Sequence, residues 1–313
     1  MSREQRERIK AELGRPRVAA SSDRSIEQIR ADFAAFMATM HVPKGTHSRS
    51  TTLGTRSALL VEAEQGAQPG TILYFHGGSC LMGSPETGMP LTASLVVRTG
   101  IRSFSLDYRL APEHPFPAAI EDCVSAYRDL LDQGVAPTSI AFAGDSAGGG
   151  LCVTSCFKAR AEGLPLPGAI VTFSAGLDFT RTGKSADTKN GIDPFFTRES
   201  FRASGGLYLS GADPEQELLS PAIFGDLRGF PPLLLQVGTN ELLLDDSTRL
   251  AERARDAEVD VILDVTADVP HVFQGYNGQL DEADQALDRA ALFLTQHVGR
   301  TGHRNSTASL SNA

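Results

Sequence analysis

The sequence predicts an α/β domain built on a mainly parallel sheet with helices on both faces. Three observations carry this. Short β-prone apolar runs alternate with stretches of helical period over most of the 313 residues, and strands separated by helices are joined by crossovers that make neighbours parallel. Runs such as 71–75 and 169–173 are apolar or β-branched throughout, as strands buried on both faces are. No Pro/Gly/Ser-rich linker divides the apolar segments, so one large domain is expected rather than two small ones.

Residues 1–45 begin with a helical pattern and then lose it. Ile26, Ile29, Phe33, Phe36 and Met40 recur at three- and four-residue steps behind Ser25, a good N-cap residue, which predicts an amphipathic helix over 26–40 that stops before Pro43. Strands are expected over 57–63, 71–75 and 102–106, with a helix over 87–99. A helix over 118–133 leads to a strand over 139–143, and a further helix runs to 162. Strands over 169–173, 232–237 and 259–265 follow, with helices over 242–257 and 282–297. Between 184 and 229 the alternation breaks. A helix fits 197–209 but no strand fits anywhere, and an insertion ahead of a late strand commonly shapes a binding site. Its aromatics Phe195, Phe196, Phe201 and Tyr208 read as packing before they read as pocket.

Composition excludes several classes. Lys and Arg number 29 against 38 Asp and Glu, a net charge of −9, with no basic cluster beyond scattered arginines in the first 30 residues, so no nucleic-acid partner is expected. No apolar run is long enough to span a bilayer, and the charged start lacks the apolar core of a secretory signal; a cytoplasmic location is the expectation. Cys80, Cys123, Cys152 and Cys156 have no metal or redox spacing, and Cys152 and Cys156 fall one helical turn apart on an apolar face. Buried free thiols are expected.

The chemistry centres on Gly144-Asp-Ser-Ala-Gly148, entered from a short apolar run and left by an Ala/Leu/Cys-rich segment. A serine on a sharp strand-to-helix turn takes up a strained backbone conformation, so small residues are needed two positions before and after it. Ser146 would then project its hydroxyl from the sheet edge. His76-Gly77-Gly78-Ser79 follows the central strand, where consecutive glycines let backbone N–H groups point into a cavity.

A serine hydroxyl is a poor nucleophile at neutral pH and requires a base and an acid that orients it. On strand–turn–helix serine sites these follow later, in the order acid then histidine, at the ends of late strands. Of the seven histidines, His271 is the one that follows both the serine and, directly, a late strand. Glu241 lies first after the strand at 232–237. Asp245 and Asp246 sit a turn further on, where carboxylates serve the helix dipole, so Glu241 is preferred to Asp245.

Together, His76-Gly-Gly-Ser79, Asp107-Tyr-Arg-Leu-Ala-Pro-Glu-His-Pro-Phe-Pro-Ala-Ala119, Gly144-Asp-Ser-Ala-Gly-Gly149, Gly238-Thr-Asn-Glu-Leu-Leu-Leu-Asp-Asp-Ser247 and Pro270-His-Val-Phe273 span roughly residues 70–298. In this order they resemble the bacterial hormone-sensitive-lipase-like esterases (family IV, with the Gly-Asp-Ser-Ala-Gly motif) of the α/β-hydrolase superfamily. The resemblance implies an α/β-hydrolase fold with an eight-stranded, mostly parallel sheet. It implies a helical cap built from the N-terminal segment and the late insertion, here 1–45 and 184–229, over a core of 46–183 and 230–298; the polar, small-residue tail over 299–313 reads as disordered from its composition. It implies a triad of Ser146, Glu241 and His271, and an oxyanion hole made by the backbone N–H groups of Gly77, Gly78 and Ala147.

Two departures stand out. The third glycine usual after the histidine is Ser79 here, and the acid, commonly aspartate, is one methylene longer. The activity implied is serine carboxylic ester hydrolysis of small to medium acyl esters through an acyl-enzyme, with no cofactor and no metal. Lactone hydrolysis of the monoterpene lactone type is the alternative; deacetylation comes behind it. Gibberellin receptors share the scaffold without catalysis, but they lack the histidine that His271 supplies. Members of the family often form homodimers.

Overall fold

The computed structural model describes residues 2–13 and 24–299; apart from Gly299, the tail anticipated from composition lies outside them. Helices α1 (Ser2–Leu13) and α2 (Ile26–Met37) precede strands β1 (Thr46–Leu53) and β2 (Arg56–Ala63). The chain continues through β3 (Gln68–Phe75), α3 (Met89–Thr99), β4 (Ile101–Leu106), α4 (Ala118–Asp132), β5 (Ile140–Asp145), α5 (Ala147–Ala161) and β6 (Ala169–Phe173). After β6 come the short α6 (Ser185–Thr188), α7 (Arg198–Leu209) and the short α8 (Pro221–Phe224), then β7 (Leu233–Asn240), α9 (Leu244–Asp256), β8 (Val261–Pro270) and α10 (Asp281–His297).

The eight strands form one sheet in the order β1-β2-β4-β3-β5-β6-β7-β8. β1 and β2 pair antiparallel, as do β2 and β4, and every later pair is parallel. Side chains alternate along each strand, so the two faces have separate cores. Leu73, Phe75, Phe142 and Leu235 pack with α4, α5 and α9 on one face, where Tyr127 meets Phe142 edge to face at 4.9 Å. Ile72, Tyr74, Ala143 and Val171 pack with α3 and α10 on the other. All four cysteines are buried free thiols.

Strands β1 and β8 and helix α2 differ from the sequence expectation. β1 is additional: its Thr/Ser/Arg sequence carries no apolar alternation because only Leu53 is buried on this edge strand. β8 runs to Pro270, five residues past the expected end, and it delivers His271 directly. α2 ends at Met37 rather than Met40. Its start is as read, with Gln28 N–H donating to Ser25 Oγ at 3.3 Å and Ser25 N–H donating to the Gln28 side chain at 3.0 Å.

No residue of α2 is buried, although Ile29, Phe33, Phe36 and Met37 form an apolar face. These four line a cavity of about 530 Å³, which explains the exposure. Arg30 holds the helix in place, donating to the carbonyls of Leu81 and Ala111 and to the Glu113 carboxylate.

Candidate active site

β5 and α5 meet at Ser146, whose φ of 53° and ψ of −119° lie in a region few non-glycine residues occupy. The surrounding backbone enforces this conformation. Ser146 N–H donates to Phe173 O at 2.8 Å, and Ser146 O accepts from Gly150 N and Gly176 N, each at 3.1 Å. The glycines on either side are dictated by contact: a Cβ at Gly144 would lie 2.6 Å from Phe75 O, and one at Gly148 would lie 1.9 Å from the same atom. Any side chain there would push the turn off β3.

Ser146, His271 and Glu241 come together at the carboxyl ends of β5, β8 and β7 although the sequence separates them widely. His271 Nε2 is 3.0 Å from Ser146 Oγ, and His271 Nδ1 is 2.8 Å from Glu241 Oε2. Glu241 is fully buried, and Ser146 and His271 are nearly so. A buried carboxylate must be saturated with donors. Glu241 Oε1 takes Gly238 N–H at 2.6 Å and the Ser174 hydroxyl at 2.8 Å, leaving Oε2 for the imidazole. Burial pulls the His271 imidazolium down, but Glu241, Asp193 and Asp145 together outweigh it and leave the group above its usual value.

Asp245 and Asp246 take other work. Asp246 Oδ2 accepts from Leu177 N and Asp178 N, and Asp245 Oδ2 accepts from Ser185 N, so both carboxylates tie the segment after β6 to α9.

The turn after β3 is held by a hydrogen bond from its first glycine. Gly77 N–H is directed to Asp145 Oδ1 at 3.1 Å, an oxygen that also accepts the Tyr74 hydroxyl at 2.6 Å. Gly77 N–H is therefore engaged in holding the turn. Gly78, at φ +118°, and Ser79, at φ +57°, come next and line the cavity with Ser146. Ala147 opens α5, where the first N–H groups have no intrahelical acceptor. His76 supports the turn: burial pushes it down to about 4, so the neutral ring's Nδ1–H donates to Gly77 O at 2.8 Å. The ring also stacks on Tyr108 at 4.2 Å.

Two contributors have no signal in the sequence. Ser174, at φ +52°, donates to Glu241 and accepts Val272 N–H at 2.9 Å, which links the acid to the backbone beside the histidine. Asp193 accepts Phe195 N and Phe196 N through Oδ1 and Leu242 N through Oδ2. It thereby holds two aromatics at the imidazole, Phe196 at 5.0 Å and Phe195 at 6.4 Å between ring centroids. Phe195 and Phe196 line the large cavity, whereas Phe201 and Tyr208 are buried and border a smaller space next to Ser146. The aromatics of this insertion thus combine packing with the lining of two separate spaces.

A strained serine at the end of a parallel strand, bonded through histidine to a buried carboxylate, is the arrangement of serine hydrolases of the strand–turn–helix class. A family model described as alpha/beta hydrolase fold matches residues 72–275. Among curated relatives, an acetyl-hydrolase from Streptomyces hygroscopicus is 41% identical over 229 residues, covering 73% of this chain and 76% of that protein. An esterase from Acinetobacter venetianus is 36% identical over 225 residues, covering 72% and 74%. Among solved structures, an esterase of the bacterial hormone-sensitive lipase family superposes with a TM-score of 0.89 at 37% identity, covering 94% of this chain and 98% of that one. The chain belongs to the α/β-hydrolase-fold family, and within it to the bacterial hormone-sensitive-lipase-like esterases. No helix among the described residues is long and apolar enough to cross a membrane.

Proposed function

We propose that this protein hydrolyses carboxylic esters through an acyl-enzyme on Ser146. The observation that carries the reading is the unbroken chain from Ser146 Oγ to His271 at 3.0 Å and on to Glu241 at 2.8 Å, at the floor of an apolar cavity. Ser146 donates its proton to Nε2 as Oγ attacks the ester carbonyl, and the imidazolium then passes that proton to the departing alcohol. Water, activated by the same histidine, releases the acid. Glu241 holds Nδ1–H toward itself, so Nε2 is the free base.

The developing oxyanion is met by backbone N–H groups of Gly78, Ser79 and Ala147, with Asp145 and Tyr74 holding the turn through Gly77. Each such donor is worth about 3 kcal/mol in the transition state. α2 and residues 184–229 act as a cap over the cavity; Phe36 of one and Phe195 of the other approach to 6.1 Å between ring centroids.

Two measurements test the reading. A panel of p-nitrophenyl acyl esters and of lactones of graded ring size is expected to give saturable ester cleavage. Opening of lactones without cleavage of any ester would replace the esterase reading by the lactonase one.

The second is the pH profile. Only neutral His271 can serve as base, so kcat/KM rises with pH through its raised pKa and the acid limb lies above about 6.5, the free histidine value. Asp193→Asn removes one charge that holds this pKa up, so the limb is expected to move to lower pH. An unmoved limb would take Asp193 out of the account.

A further inference from the structure

Ser146 stands between two spaces. Beside the large apolar cavity lies a small chamber of about 40 Å³, lined at one end by Ser146 and Ala147 and elsewhere by Phe179, Arg181 and Phe201. It has room for roughly three water molecules. Arg181 is the unexpected member. Its Nη1 is sealed from solvent and, among the described residues, has no hydrogen-bond acceptor. Asp246 Oδ2 lies 3.7 Å from it, beyond hydrogen-bond reach, and that oxygen is already taken by the N–H groups of Leu177 and Asp178.

The other nearby charges are committed elsewhere. Asp178 is engaged by Thr180, Thr182 and Arg249, the last at 3.0 Å. Phe179 and Phe201 lie against the guanidinium, with ring centroids 4.9 and 4.5 Å from Cζ. Contacts of this kind use the face of the cation and leave its in-plane N–H groups for an acceptor. A buried guanidinium nitrogen without a hydrogen-bond acceptor, on a side chain that lines the chamber with Ser146, is costly unless an acceptor arrives with the ligand.

We propose that this chamber binds the acyl part of short dicarboxylic hemiesters, with the ester carbonyl at Ser146 and the free carboxylate on the Arg181 guanidinium. The inference rests on the esterase reading and adds the substrate class. The apolar alcohol portion then occupies the large cavity. Ser146 Oγ bonds the acyl carbon as the bond to the alcohol oxygen breaks, and the alcohol leaves with the serine proton by way of His271. Water then releases the dicarboxylate and restores Ser146, and no other reactant is needed.

The test uses the full chain with monobutyl succinate and monobutyl glutarate against butyl butyrate and butyl pentanoate, following butanol release. For at least one pair, kcat/KM for the hemiester is expected to exceed that of its neutral counterpart by about tenfold, the scale of a charge-assisted pair. Arg181→Met, which keeps an unbranched apolar stem beside the two rings, is expected to abolish or reverse that ratio. Arg181→Lys, a cation without the planar fork, is expected to retain only part of it.

A wild-type enzyme that prefers the neutral ester in both pairs would overturn the proposal whether or not the variants fold. So would a ratio unchanged in Arg181→Met. Inertness toward all four esters would instead strike the esterase reading itself, and the proposal with it.

Discussion

Ser146→Ala is expected to lower kcat for p-nitrophenyl butyrate by about 10⁵- to 10⁶-fold, the loss seen when a triad nucleophile is removed. Alanine at φ 53° is no more strained than serine, and among the described residues the Ser146 hydroxyl makes no hydrogen bond apart from that to His271. Circular dichroism and the thermal midpoint should therefore stay close to those of the parent. A variant that folds and keeps more than a small fraction of the activity would move the nucleophile elsewhere.

Glu241→Gln is expected to cost about 10⁴-fold in kcat, for a reason more specific than lost charge. Oε1 accepts from Gly238 N–H at 2.6 Å and from the Ser174 hydroxyl at 2.8 Å. The glutamine oxygen must occupy that position, which turns its NH₂ toward His271 Nδ1. The imidazole must then carry its proton on Nε2, facing Ser146, where it cannot act as base. The loss corresponds to about 5 kcal/mol of transition-state stabilisation. Glu241→Asp, which preserves the acceptor pair but shortens the reach, should fall well short of that. Equal losses in the two variants would contradict the tautomer argument.

The sequence reports this site unevenly, and the reasons are physical. Ser146, Glu241 and His271 are legible because a strained turn demands Gly144 and Gly148, and because parallel strands bring their carboxyl ends to one edge. Glu241 could be separated from Asp245 and Asp246 on position alone, and the hydrogen bonds of those two aspartates explain why they are placed deeper in α9. Gly77 could not be separated from Gly78 and Ser79, since a run of small residues does not reveal which N–H is taken by another acceptor. That depends on Asp145, which lies next to Ser146 and far from the turn in sequence.

Ser174 and Asp193 act only through tertiary contacts, with no spacing to mark them. The edge strand β1 went unread because a strand with one buried residue has no alternation to detect. The helix over 26–40 reads as amphipathic, but its apolar face turns to a cavity and not to a core, a distinction that periodicity cannot make. Tertiary placement likewise decides that Phe196 meets His271 while Phe201 lies against Arg181.

The central claim is that Ser146 becomes acylated with His271 as its base. Mass spectrometry of the intact protein and its peptides after treatment with a fluorophosphonate tests it most directly. One adduct per chain is expected, on the peptide carrying Ser146, with labelling suppressed in His271→Ala and abolished in Ser146→Ala. No adduct on a protein that hydrolyses esters, or an adduct on another residue that tracks the loss of activity, would contradict the account.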